Sequence, residues 1–201
     1  MNSNIIQKIK DIVGKNGVST SLIDLIVNSA DAGEYRNRPD ALVYATSTEQ
    51  VSAIMKLASE EAIPVTPRGA GTNTSGEAVP TQGGIVLDLS RMDSILEINL
   101  EDRLVVVQPG VVYGTLNSKL APMGFSFPPD PGSGKVATLG GMVATNAGGL
   151  KGAKYGVTKD YVMGLEVVLP DGRVMDLMSE LHKDNTGYDL KDLFIGAEGT
   201  L

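Results

Sequence analysis

Cysteine and tryptophan are absent from the 201-residue sequence, and histidine occurs once, at His182. The first absence removes disulfides, thiolate metal sites and a thiol nucleophile. It suits a reducing compartment, so a cytoplasmic location is expected. A single histidine leaves little from which to build a serine triad, and no G-x-S-x-G turn is present. Clustered His, Cys or carboxylate ligands are lacking, so no metal centre is expected. Nowhere do about 18 apolar residues run together. The opening stretch MNSNIIQKIKDIVGKNGVST mixes charge with isoleucine, so neither a transmembrane segment nor a signal peptide is expected. Positive charge is scarce as well: 17 Lys and Arg stand against 24 Asp and Glu, for a net charge of −7. No dense basic run offsets that balance, so no nucleic-acid partner is expected.

What is present suits a globular fold, with 42% hydrophobic and 20% charged residues. The excess is in glycine, 24 residues, about 12% of the chain against a usual ~7%. Glycine costs backbone entropy wherever it is ordered, so such an excess points to positions needing positive φ or close backbone approach.

Ile5, Ile6, Ile9, Ile12 and Val13 repeat at helical spacing, with Gly14 and Gly17 as stops. A second short helix is expected from Ser21 through Ile26. Ala41–Ala45 reads as a buried strand and Ser47-Thr48-Glu49-Gln50 as a capping box. Val51, Ile54, Met55 and Ala58 then form one apolar helix face. Ile63–Pro67 is the next strand, parallel to the first by the right-handed crossover rule. Gly84–Leu89 makes a third. Beyond Leu96, a strand over 103–108, a helix over 112–120 and a hairpin over 161–177 are expected, the last turning at Pro170-Asp171-Gly172. The expected division is an N-terminal helical segment (1–37), a small α/β lobe (38–95) and a larger α+β lobe (96–201).

Three glycine-rich segments stand out. Pro67, Arg68, Gly69, Ala70, Gly71, Thr72 and Asn73 follow a parallel strand directly. Such a turn either aims backbone N–H groups at a diphosphate or is simply a tight βα connection. Asn73 tolerates the left-handed conformation, so the turn can continue through it. Arg68 either adds charge or is solvated beside the turn. The second segment runs through Asp130, Pro131 and Ser133 to Thr138, Gly140, Gly141, Ala144, Thr145, Asn146, Ala147, Gly148 and Gly149. Small residues bury little apolar area, so this stretch reads as backbone laid against a large planar ligand, and otherwise as a surface loop. The third is Glu198, Gly199 and Thr200 before the final Leu201. An apolar run broken in mid-pattern there leads to the expectation that the sequence is truncated. His182, in a polar stretch, reads as a surface residue, and no catalytic residue is assigned. What remains is binding, with any catalysis supplied by a cofactor.

At these segments the sequence resembles the FAD-linked subunit of glycolate oxidase and its relatives, the D-lactate and D-2-hydroxyglutarate dehydrogenases. The stretches that carry the resemblance are RPDALVYATSTEQVSAIMKLA, IPVTPRGAGT, PPDPGS, TLGGMVATNAGGLKGAKYG, GLEVVLPDGRV and HKDNTGYDLKDLFIGAEGTL. The resemblance implies an α+β, two-lobed FAD-binding domain of the p-cresol methylhydroxylase/vanillyl-alcohol oxidase type. It implies that Pro67 to Asn73 wrap the FAD diphosphate. Asp130, Pro131, Ser133, Thr138, Gly140 and Gly141 would run beside diphosphate and flavin, with Ala144 to Gly149 making further contacts. Glu198, Gly199 and Thr200 would begin a segment toward the adenine end. Relatives often read GTGLSGGA where this chain has Gly71 to Ala78, so Glu77 departs from the pattern by placing an acid near the expected phosphates.

Thr72 stands where an R-G-x-G-H loop would carry a flavin-linking histidine, and cysteine is absent, so FAD is expected to be noncovalent. The parent protein is expected to oxidise a small D-2-hydroxy acid, with the acid held by a cap domain outside this sequence and electrons passed to a partner subunit. The fragment alone is expected to be inactive. The alternatives are a stand-alone FAD-binding or electron-transfer module, and a transferase of the alkyl-dihydroxyacetone-phosphate synthase type.

Overall fold

In the computed structural model, which describes residues 1–201, Ile5 and Ile9 are buried on one side of helix α1 (Ser3–Val13). Asn2 caps that helix by accepting the Ile5 N–H at 2.9 Å, and Gly14 at φ 80° ends it. A short strand β1 (Val18–Ser19) and helix α2 (Leu22–Val27) follow. Strand β2 (Ala41–Tyr44) then leads into helix α3 (Thr48–Glu60). Half of the expected capping box forms: the Ser47 hydroxyl accepts the Gln50 N–H, but Gln50 Oε1 accepts the N–H of Thr46, one residue before the cap, and not that of Ser47.

Strands β3 (Val65–Arg68) and β4 (Ile85–Asp88) complete a four-stranded sheet of order β1-β2-β4-β3. Both β2 and β3 run parallel to β4, Ala41 and Val65 each pairing with Ile85. The parallel reading of the first two long strands therefore holds, but β4 lies between them. Its residues are buried throughout, as expected of a central parallel strand. Ile5, Ile9, Val43, Ile54, Leu57, Ile85 and Leu87 form one core. Residues 1–92 and 168–175 make up this first unit of the chain. The returning turn is held by the Ser52 hydroxyl, which donates to the Gly172 carbonyl at 2.6 Å.

The second unit comprises residues 93–167 and 176–201. Strand β5 (Ile95–Asn99) pairs antiparallel with β6 (Leu104–Val107). Helix α4 (Tyr113–Leu120) follows, near the expected bounds. Helix α5 (Leu139–Ala144) was not expected. Its six residues are too few to show a 3.6-residue repeat, and two of them are glycine. Leu139 and Met142, three apart, nonetheless join Val111, Leu116, Leu120 and Ala137 in a second core. The stretch read as backbone without a core of its own thus contributes the side chains of Ala137, Leu139 and Met142 to a core.

Helix α6 (Gly152–Tyr155), the hairpin strands β7 (Leu165–Val168) and β8 (Val174–Leu177), and helix α7 (Lys191–Phe194) complete the chain. Helices and mixed sheets together make the protein α+β. No helix is long and apolar enough to cross a membrane.

Candidate functional site

Pro67 and Arg68 end strand β3, paired with Leu87 and Asp88, and Gly69, Ala70, Gly71, Thr72 and Asn73 form the loop beyond. The Arg68 side chain is folded beneath that loop, and its Nη1 donates to the Ala78 carbonyl at 3.2 Å. Gly71, at φ 64°, passes so close to the guanidinium that a Cβ there would overlap it. Burial lowers the Arg68 pKa from its ordinary value, while the charges of Asp88 and Asp31 oppose that shift. Arg68 is therefore a staple inside the loop and not a solvated residue beside it. The left-handed residue of the turn is Gly71; Asn73 is not in that region.

Two side-chain atoms in the same loop are buried without a hydrogen-bond partner, Asn73 Nδ2 and Glu77 Oε2. Buried polar atoms are normally paired, so a lone donor and a lone acceptor here mark a place where a ligand can supply the missing halves.

Residues 30–36, which carry no motif of their own, hold the far end of this loop. Asp31 accepts the N–H of Gly33 at 2.7 Å and that of Gly76 at 2.8 Å. The Ala32 N–H donates to the Asn73 carbonyl at 3.0 Å. The Asp-x-Gly spacing at 31–33 signals a turn, but nothing local announces its partner some forty residues on.

In the second unit, Asp130, Pro131 and Ser133 lie in the loop before α5. Thr138 caps that helix, its hydroxyl accepting the Gly141 N–H, and is 4% exposed. Gly140 sits against Pro109, where a Cβ would come within 2.6 Å of the proline ring, and its N–H donates to the Pro109 carbonyl. Ala144 ends α5 and Thr145 caps its C-terminus. Asn146 then turns the chain at φ 47°, and its Oδ1 accepts the Lys159 N–H at 2.9 Å. The Ala147 carbonyl is held by the Thr158 hydroxyl at 2.6 Å. Gly148 packs on Val157, and Gly149 lies against the Asp130 carbonyl with no room for a side chain.

The third segment meets the second here. The N–H groups of Gly196 and Glu198 donate to the carbonyls of Val143 and Ala144, with Glu198 at φ 56° and Gly199 at φ 74°. Thr200 bonds back to Ala197. The second and third glycine-rich segments are thus joined at the C-terminal end of α5, while the first belongs to the other unit.

One polar cluster in this unit went unread in the sequence. The Asp130 carboxylate takes Lys151 Nζ at 3.1 Å on one oxygen and faces the Tyr113 hydroxyl at 3.5 Å with the other. Burial and then the Asp130 charge push the Tyr113 phenol above its ordinary value, and the bond to Asp130 raises Lys151. His182 is exposed, as expected of a surface residue. No group of three or more His, Cys, Asp or Glu residues is placed to hold a metal ion.

The sequence is 43% identical over 196 residues to the glycolate oxidase subunit GlcD of Bacillus subtilis, covering 97% of this chain and 42% of that protein. It is also 43% identical over 198 residues to a D-lactate dehydrogenase of Anaerostipes hadrus, covering 98% of this chain and 42% of the relative. The chain spans about two fifths of the length of either relative. Among solved structures, p-cresol methylhydroxylase with substrate bound superposes with a TM-score of 0.82 at 26% identity, over 96% of this chain and 40% of that one. An alkyldihydroxyacetonephosphate synthase does so with 0.88 at 24% identity, over 100% and 38%, which is a likeness of fold alone. The FAD binding domain family matches residues 39–178. The chain belongs to that family, in its p-cresol methylhydroxylase/vanillyl-alcohol oxidase fold, and its cofactor is FAD.

Proposed function

We propose that the protein to which this chain belongs oxidises a small D-2-hydroxy acid such as glycolate or D-lactate, and that this chain holds the FAD without a covalent bond. The observation that carries the reading is the 43% identity, over nearly the whole chain, to a glycolate oxidase subunit and a D-lactate dehydrogenase, whose names share one substrate class.

The chemistry of the residues fits the cofactor. FAD offers phosphate and carbonyl oxygens as acceptors and ribityl and ribose hydroxyls as donors. Asn73 Nδ2 suits the first kind of group and Glu77 Oε2 the second, and both are buried and unpaired. An acid at position 77 is thereby compatible with the loop, provided it meets a hydroxyl and not a phosphate. In the first unit, Pro67 to Asn73 would hold the diphosphate through backbone N–H groups, with Arg68 bracing the loop from beneath. In the second, Asp130, Pro131, Ser133, Thr138, Gly140, Gly141 and Ala144 to Gly149 would line the cofactor, and Glu198 to Thr200 would continue that lining. Cysteine is absent and Thr72 follows Gly71, so this loop offers no side chain of the flavin-linking kinds.

FAD, when bound, supplies the acceptor for the two electrons and one proton removed from the hydroxyl-bearing carbon, with the hydroxyl proton leaving to a base. This chain's own part is to bind, orient and shield. A partner subunit taking up the electrons, and a cytoplasmic setting supported by the cysteine-free sequence, complete the proposal.

The whole protein, purified with FAD, is expected to reduce a dye with D-lactate or glycolate and to leave L-lactate unused. Dye reduction by neither acid would overturn the substrate class. A chain that gives no flavin fluorescence change on titration with FAD would overturn the cofactor role of these residues.

A further inference from the structure

We infer that the turn formed by residues 30–36 is a positioning element for the glycine loop, and that Asp31 sets the conformation in which the loop receives a diphosphate. The inference rests on the FAD reading above. Four separate contacts tie turn to loop. Asp31 gathers the N–H groups of Gly33 and Gly76 on its two carboxylate oxygens, at 2.7 and 2.8 Å. The Ala32 N–H occupies the Asn73 carbonyl. Gly33 passes so near the loop that a Cβ on it would stand 2.5 Å from the Thr74 carbonyl oxygen. Gly76, at φ 96°, lies against the Tyr35 ring, with the nearest ring carbon 3.1 Å from where its Cβ would be. The turn is itself pinned, Ala30 bridging antiparallel to Arg36 and the Asn37 amide donating to the Pro80 carbonyl at 2.6 Å.

The chemical consequence concerns the Asn73 carbonyl above all. A carbonyl dipole turned toward a diphosphate repels it, while N–H groups attract it. With its carbonyl committed to Ala32, Asn73 keeps its unpaired Nδ2 for an anionic acceptor. The Asp31 charge also acts on the Arg68 guanidinium, so one carboxylate steadies the loop's far end and its buried staple. A loop already held in its binding conformation loses less entropy when the ligand arrives, which raises affinity without adding a contact.

Two substitutions, with Asp31→Asn as an intermediate, test this on the full 201-residue chain. Asp31→Ala removes both acceptors. Gly33→Ala keeps the carboxylate but pushes a methyl group into the Thr74 carbonyl, 2.5 Å away, and against Asp31 Oδ1, 3.0 Å away, and its backbone is not in the left-handed region, so the effect is one of crowding between turn and loop. FAD is titrated by flavin fluorescence, ADP (the diphosphate without the flavin) by calorimetry, and fold is followed by circular dichroism and melting.

Both variants are expected to stay folded and to bind FAD and ADP about tenfold more weakly, by the same factor for each ligand. Asp31→Asn, which retains one acceptor oxygen, is expected to fall between Asp31→Ala and the parent. Folded variants with unchanged affinities would overturn the inference and leave the FAD reading standing. Variants that no longer fold would make the turn a part of the general fold and also overturn it. If the parent chain itself bound neither ligand, the FAD reading would fall, and this inference with it.

Discussion

Gly149 lies so close to the Asp130 carbonyl that any side chain at 149 would overlap it. The two residues are nineteen positions apart in sequence, and the loop between them includes α5. Gly149→Ala must therefore push the 130–133 loop aside. Forced overpacking typically costs about 1–3 kcal/mol, occasionally more. The variant is expected to melt several degrees below the parent, whereas Gly132→Ala, with open space around it, should melt with the parent. Equal melting of both variants would contradict the placement.

Asn73→Asp exchanges the buried, unpaired donor for a carboxylate of the same shape. If that donor meets an anionic oxygen of FAD, the variant puts like charges together. FAD affinity is expected to drop by more than about tenfold. Unchanged affinity on flavin fluorescence titration would remove Asn73 from the cofactor contacts.

Thr138 is nearly buried and caps α5 through Gly141. Thr138→Ala is expected to cost about 1 kcal/mol of stability, and Thr138→Ser, which keeps the hydroxyl, only a part of that. Urea denaturation of the three proteins measures the difference. A serine variant as unstable as the alanine one would show that packing, and not the cap, is what Thr138 provides.

Tyr113 has a raised phenol pKa because burial and the Asp130 carboxylate both disfavour its anion. A raised folded-state value means the phenol's contribution to stability is complete below the unfolded tyrosine value, near 10. It is lost as pH climbs through the higher folded value. Asp130→Asn removes one cause, so the Tyr113 titration followed by ultraviolet absorbance should move back toward the ordinary value. The Lys151 pKa, raised by the same carboxylate, should fall with it. No movement of either group would place the cause elsewhere.

Much of the first unit was written locally. The isoleucine spacing of α1, the Ser47–Gln50 cap and the buried runs of β2 and β4 each follow from a few neighbouring residues. The glycine segments, too, could be picked out because glycine has a recognisable cost. What stayed hidden depends on distant partners. Asp31 has an ordinary turn setting, and only the fold reveals that its second oxygen reaches Gly76. Arg68 reads equally as a solvated residue or an anion contact until the loop is seen closing over it. Helix α5 escaped notice because six residues, two of them glycine, carry too weak a periodic signal.

The first unit is not contiguous in the chain: it takes in residues 168–175, and Ser52 waits for the Gly172 carbonyl 120 positions later. A ribosome delivering the chain from its N-terminus must therefore finish most of the second unit before the first can close. Cutting the gene after residue 92 would yield a polypeptide lacking its own last piece, so the two units are poor candidates for separate expression, and a linker in place of residues 93–167 would be needed to make the first as one uninterrupted stretch.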